Sequence, residues 1–273
     1  MNDDALLIAT TLADTIGEGF LKYMAGFQQY LLRGLKTFEN PQLCSVSIGV
    51  VSDLSHALGE KIAPYVNDIM TALTEVLAND VPQKVKTEVL SVFGDIAMNI
   101  GEHFKPYLLF VLQTLNSATM APINRDSQEA IDYCNDLWEG TLHAYTGIVQ
   151  GLKGDGNSPA SDVQLLTQHI TNIAQFLVKV ADHYLELPDT IICSLAGLIG
   201  DLISIFGSNL MILVEQNGIQ AMFARGKRSK IAKTRNMVAY GLKQINRVKA
   251  LTAGMPQPAA FQNAMQSTTL AES

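Results

Sequence analysis

The chain has 273 residues, of which 48% are hydrophobic and only 16% charged, so a largely disordered or collagen-like polypeptide is excluded and a substantial core is required. Its formal net charge is −7, and three widely spaced cysteines, Cys44, Cys134 and Cys193, form no CxxC pair; neither a disulfide scaffold nor a zinc finger is supported, and a reducing compartment fits best. The N-terminus carries Asp3 and Asp4 ahead of a short apolar run, the wrong sign for a secretory or mitochondrial leader.

Read in chain order, Asp3 or Asp4 N-caps a helix over Ala5 to Ile16, a second helix without its first. Between Tyr65 and Asn79, Val66, Ile69, Met70, Leu73, Val76 and Leu77 fall on one stripe of an amphipathic helix. A turn at Val81 and Pro82 leads into a second helix, from about Lys84 to Ile100, burying Val85, Val89, Leu90, Phe93, Ala97 and Ile100. Trp138 lies on the helical stretch Tyr133 to Leu152, where packing is the default role. Residues 151 to 161 read as a flexible loop. Thr190 to Phe206 approaches bilayer-spanning length, but Asp201 inside it argues for a core helix. Residues 225 to 235, RGKRSKIAKTR, form a solvated turn before a terminal helix, with a nuclear localisation signal or phosphate site as the alternative.

One grammar recurs along this series. In TLADTIGEGFLKY (11 to 23), DLSHALGEKIAPY (53 to 65), DIAMNIGEHFKPY (95 to 107) and DLISIFGSNLMIL (201 to 213), an Asp or Thr precedes a Gly by six positions and an apolar residue follows the Gly by three. With Gly154 in the same phase, Gly17, Gly59, Gly101, Gly154 and Gly207 are spaced by 42, 42, 53 and 53 residues, a HEAT-like period. Each Gly suits a left-handed helix C-terminus, and Pro64 and Pro106 open the next helix. The expected fold class is therefore all-α: a HEAT-repeat α-α superhelix of antiparallel helix pairs over residues 1–252. Its repeats are 20–62, 63–104, 105–154, 160–207 and 208–250, after a truncated unit at 1–17 and before a disordered tail at 253–273.

Charge is unevenly placed. Residues 1–215 hold 10 Lys and Arg against 25 Asp and Glu, whereas 216–271 hold nine basic residues and no acid. An acidic body repels phosphates, which argues against nucleic acid and for a basic partner. The helical phase of Asp95 places it with Ser91, Asn99 and Glu102 on a polar stripe facing solvent, with Asp53 and Asp201 at the same phase. Two readings stay open: a ladder of carboxylates that holds a cationic helix, or aspartates that bond neighbouring repeats and fix their stacking. Among catalytic signatures, GxSxG, Walker A, GxGxxG and HExxH are absent, and the five histidines are scattered, so no enzyme, cofactor or metal is expected.

EGFLKYM (18 to 24), KTEVLSVFGDIAMNIGEHFKPYL (86 to 108), AYTGIVQGLKGD (144 to 155), AGLIGDL (196 to 202) and GKRSK (226 to 230) resemble, in order, segments of the importin-beta (karyopherin beta) family. The resemblance implies the C-terminal part of a nuclear import receptor moving between cytoplasm and nucleus through the pore. It implies an importin-alpha-type adaptor or basic cargo segment held along second helices by acidic and aromatic side chains, here Asp53, Asp95, Glu102, Asp201 and Tyr240. Tyr240 stands where relatives carry a Trp. The resemblance further implies phenylalanine-glycine nucleoporins bound in apolar clefts between first helices, with Phe27, Tyr30, Leu31, Val66 and Met70 as candidates although most of that stripe is expected to be core, and Ran-GTP engaged mainly by repeats outside this chain. A structural HEAT scaffold such as a phosphatase regulatory subunit is the runner-up; membrane insertion is not expected.

Overall fold

A computed structural model describes residues 3–122, 125–154 and 160–252, all of whose regular structure is helical. The loop centre and the C-terminal tail anticipated above lie outside the described residues. The chain divides into two compact units, one from Met1–Ala118 and Pro122–Asp162, the other from Thr119–Ala121 and Val163–Ser273.

Unit 1 contains α1 (Asp3–Ile16), α2 (Leu21–Leu35), α3 (Pro41–Leu58), α4 (Ala63–Ala78), α5 (Gln83–Ile100), α6 (Lys105–Thr119, whose last residue falls in unit 2) and α7 (Gln128–Lys153). Side chains fix two of the helix starts: Asn40 and Ser127 accept hydrogen bonds from the backbone N–H groups of Leu43 and Ala130, and Pro41 occupies the first turn of α3. The second helices α1, α3, α5 and α7 pack in succession, and α2 and α4 lie beside one another as first helices. The apolar stripes foreseen on α4 and α5 are buried, including Val66, Ile69, Leu73, Val76, Val89, Phe93 and Ile100.

The recurring glycines end these second helices. Gly17, Gly59, Gly101, Gly154 and Gly207 have φ between 52° and 58°, the left-handed region a side chain disfavours. After four of the five, a tight 3₁₀ turn delivers the apolar residue three positions on, Phe20, Ile62, Phe104 or Leu210, into the core. The repeat's grammar is thus a turn followed by a plug.

Glycine also sets how closely α5 and α7 approach. A Cβ on Gly147 would overlap the Gly94 carbonyl oxygen, one on Gly151 would overlap that of Ala97, and one on Gly140 would stand 2.8 Å from that of Thr87. The two backbones therefore touch without intervening side chains.

Unit 2 holds the last two residues of α8 (Ala160–Gln164), then α9 (Ile170–Ala181), α10 (Asp189–Phe206), α11 (Met211–Val214), α12 (Asn217–Lys227) and α13 (Ala232–Thr252). Here α10 and α13 form the same close seam: a Cβ on Gly241 would meet the Ala196 carbonyl oxygen at 2.6 Å. Among the described residues, Asp189–Val214 is the one stretch long and apolar enough to cross a membrane by length and composition, and most of it is buried within the fold. Ile191, Leu195, Leu198, Ile199 and Leu202 belong to that interior. Arg225 fixes α12 to the loop before α10 by donating from Nη1 to the carbonyls of Tyr184 and Leu187, at 2.5 and 2.7 Å.

Candidate partner-binding faces

In unit 1, the second helices bring their polar edges together around Asp95. The carboxylate is 5% exposed, which corrects the expectation that it faces solvent. Its Oδ2 accepts from Ser52 Oγ of α3 at 2.6 Å, and its Oδ1 accepts from His143 Nε2 of α7 at 2.7 Å. Asn99 Nδ2 donates to His56 Nδ1 at 3.2 Å and also to the Asp95 carbonyl. With Nδ1 accepting, the His56 proton resides on Nε2, which lies 3.4 Å from Asp95 Oδ1. One carboxylate thus ties three consecutive second helices, the stacking alternative.

Burial alone would raise the Asp95 pKa, but the hydrogen bonds from His143 and Ser52, with the two imidazoles' charge, outweigh it and hold the group below the usual carboxylate value. His143 moves upward because Asp95 accepts its hydrogen bond, an effect larger than its own desolvation. Asp53 is half-buried, and its pKa is raised by burial and then by the charge of Asp14 on α1, with Asp95 adding to this against His56. Asp14, Asp53 and Asp95 therefore do form an electrostatically coupled row across α1, α3 and α5, with its last member sealed.

The row continues on α7 through residues that the repeat pattern did not single out. Asp132, Asp136 and Glu139 precede His143 at i, i+4, i+7 and i+11, so they share its face, and all four are exposed. Gln128 Nε2 donates to Asp132 Oδ1 at 2.8 Å, holding the start of this stripe. Their spacing was the available signal; it was hidden because α7 has Ile148 where the other repeats place Asp. Glu102 is 63% exposed on its side chain and lies 3.7 Å from Lys105 at the turn after α5.

In unit 2, Asp201 is 7% exposed, again contrary to the solvent-facing expectation, and accepts a 2.5 Å hydrogen bond from the Tyr240 hydroxyl. Burial, then this bond and charge, pushes Tyr240 up to about 12. Tyr240 is half-buried against Gly200, whose missing side chain leaves room for the ring. The aspartate at this repeat position therefore braces the α10–α13 seam.

Among the nucleoporin candidates, Leu31, Val66 and Met70 are buried in the core, the alternative expected for most of that stripe, and so are removed as contact residues: the same stripe that predicts the helix also seals it. Phe27 is half-buried, with its ring 5.6 Å edge-on from Phe20, and Tyr30 is 53% exposed. Tyr23, exposed one turn before Phe27, extends them to a stripe at i, i+4 and i+7 on α2. Trp138 is buried with the Arg125 guanidinium 5.4 Å from its ring, and the three cysteines are free and buried.

A family model described as importin subunit beta-1-like, TPR repeats, matches residues 1–227. Importin subunit beta-1 of Arabidopsis thaliana is 37% identical over 221 residues, covering 79% of this chain and 24% of that protein. A crystal structure of importin beta in an ammonium sulfate condition superposes with a TM-score of 0.83 at 30% identity, over 90% of this chain and 28% of that one. The Kap95:Nup1 complex does so with a TM-score of 0.79 at 29% identity, over 91% and 28%. The chain spans about a quarter of the length of these relatives. With the glycine-ended helix pairs and ordered sequence match in agreement, the chain belongs to the importin-beta family.

Proposed function

We propose that this chain is a segment of a nuclear import receptor whose unit 1 takes the basic helical segment of an importin-alpha-type adaptor or cargo along its second helices. The observation that carries this reading is the exposed acidic stripe Asp132, Asp136 and Glu139 on α7, continuous in phase with His143 and the Asp53–Asp95 row, in a chain of the importin-beta family. Exposed carboxylates on one helix face attract a cationic helix, while Asp95 keeps the supporting helices in register. Glu102 adds a carboxylate at the adjoining turn. In unit 2, Asp201 and Tyr240 contribute by shaping the α10–α13 surface, and the half-exposed Tyr240 ring offers a packing face to the same class of segment.

The aromatic stripe Tyr23, Phe27 and Tyr30 is the nucleoporin contact in this proposal, an apolar ledge for phenylalanine-glycine repeats. The related Kap95 is described in complex with Nup1 and, in another structure, as acting on the switch loops of RanGDP. Ran-GTP releases the adaptor mainly through other repeats of the receptor, and the protein works in cytoplasm, nucleus and pore.

The test is fluorescence anisotropy of a basic adaptor helix against the full chain at low and physiological salt. Exposed ion pairs contribute about 0.2–1 kcal/mol each, so Asp132→Asn/Asp136→Asn/Glu139→Gln weakens binding about three- to hundredfold, with the effect shrinking as salt rises. Equal binding by parent and triple variant at low salt rejects the α7 stripe as the adaptor face.

A further inference from the structure

Cations gather at the junction of α12 and α13. Between α12 and α13, Lys227, Arg228, Lys230, Lys233 and Arg235 surround the start of a 21-residue helix whose first turn carries no acid. A helix N-terminus bears about half a positive charge, so Lys230, Lys233 and Arg235 are placed against the field that would stabilise Asp or Glu there. All five side chains belong to exposed residues. Arg225, by contrast, is engaged by the carbonyls of Tyr184 and Leu187, and Arg235 reaches only the carbonyl of Ser229, at 2.7 Å, which leaves its charge uncancelled. No acidic residue occurs between 216 and 252. Lys227 and Arg228 suit the negative end of α12, but Lys230, Lys233 and Arg235 break the dipole rule at α13. The acid beside them, Asp189, whose backbone carbonyl accepts from Thr234 Oγ1, is outnumbered, and the resulting cationic surface is one that something anionic completes.

We propose that the α12–α13 end of unit 2 is a docking surface for a short acidic segment of another polypeptide, opposite in charge to the adaptor of unit 1 and independent of that reading. Three features favour a polypeptide over nucleic acid. The cations converge on one helix end instead of tracking a long groove. Asp189 borders the patch at Thr234, and elsewhere over residues 163–215 unit 2 carries Asp182, Glu186, Asp201 and Glu215 against Lys179 alone, so an extended polyanion leaving the patch meets repulsion. The only aromatic side chain between 224 and 252 is Tyr240, half-buried and bonded to Asp201, so the cationic segment itself supplies no platform for stacked bases. A run of Asp or Glu supplies several carboxylates within the reach of this turn and relieves the repulsion at the α13 N-terminus.

The full chain is titrated with a fluorescent oligoglutamate peptide, an oligoglutamine peptide of the same length and an oligothymidylate of the same charge. Oligoglutamate binds most tightly, oligoglutamine not at all, and physiological salt weakens the complex. Substitution Lys227→Gln/Arg228→Gln/Lys230→Gln/Lys233→Gln lowers oligoglutamate affinity at least about fourfold, from the usual worth of four exposed pairs. Lys230→Gln/Lys233→Gln alone melts at or above the parent's temperature, because it removes cations from the positive end of α13 and leaves Lys227 and Arg228 at the negative end of α12. A second variant, Lys243→Gln/Arg247→Gln, changes the same helix away from the cluster and loses less binding. Tighter binding of oligothymidylate to the parent chain, or equal loss in the two variants, overturns the proposal.

Discussion

Asp95 shows how one side chain can serve three helices. Its interactions are worth most when it is ionised and His143 is protonated, which fixes the sign of the pH dependence. The lowered Asp95 pKa contributes stability above the unfolded value of about 3.9, lost as pH falls through its native value. The raised His143 pKa contributes stability below about 6.5, lost as pH rises through its native value. Urea midpoints for the full chain should therefore fall on the alkaline side of this window, and Asp95→Asn should flatten that fall. Asp95→Asn should also cost about 1.5–3 kcal/mol at pH 6, since it removes the charged acceptor of Ser52 and His143. The burial of Asp95 was not legible in its own helix, where its phase shares a stripe with Ser91, Asn99 and Glu102. What closes over it is His143, 48 residues away, on a helix with no Asp at the repeat position. The five glycines were legible because a left-handed C-terminus is a local requirement of the backbone.

At the scale of elements, two glycines in helix interiors should respond in opposite directions to alanine. Gly147→Ala drives a methyl into the Gly94 carbonyl and should destabilise unit 1 by about 1–3 kcal/mol or more. Gly26→Ala, on an exposed turn of α2 with nothing within 4 Å of the new Cβ, should stabilise by about 0.5–1 kcal/mol. Chemical denaturation of the two variants, compared with the parent, gives the contrast directly. Helix identity and the buried stripes of α4 and α5 could be read from period alone, whereas the α5–α7 seam could not, because a glycine in a helical pattern does not announce which backbone lies against it. The same reasoning explains Leu31, Val66 and Met70: apolar spacing identifies a buried face but not which of its members a neighbouring helix leaves open.

For the whole molecule, the acidic body and basic end seen in the sequence reappear as the α7 stripe of unit 1 and the α12–α13 end of unit 2, and ligands should sort between them by sign. A cationic helix should compete with salt on unit 1, an anionic peptide on the α12–α13 end, and neither ligand should displace the other if the two are measured together by anisotropy. The glycine seams carry a mechanical consequence as well. In unit 1, bending at α5–α7 would have to pull apart two main chains already in contact, whereas between α3 and α5 the links include Ser52–Asp95 and Ser45–Glu88, groups at the ends of rotatable bonds. A coil built this way yields first at its hinges of side chains, and carries the α5–α7 pair through the motion like a welded link in a chain.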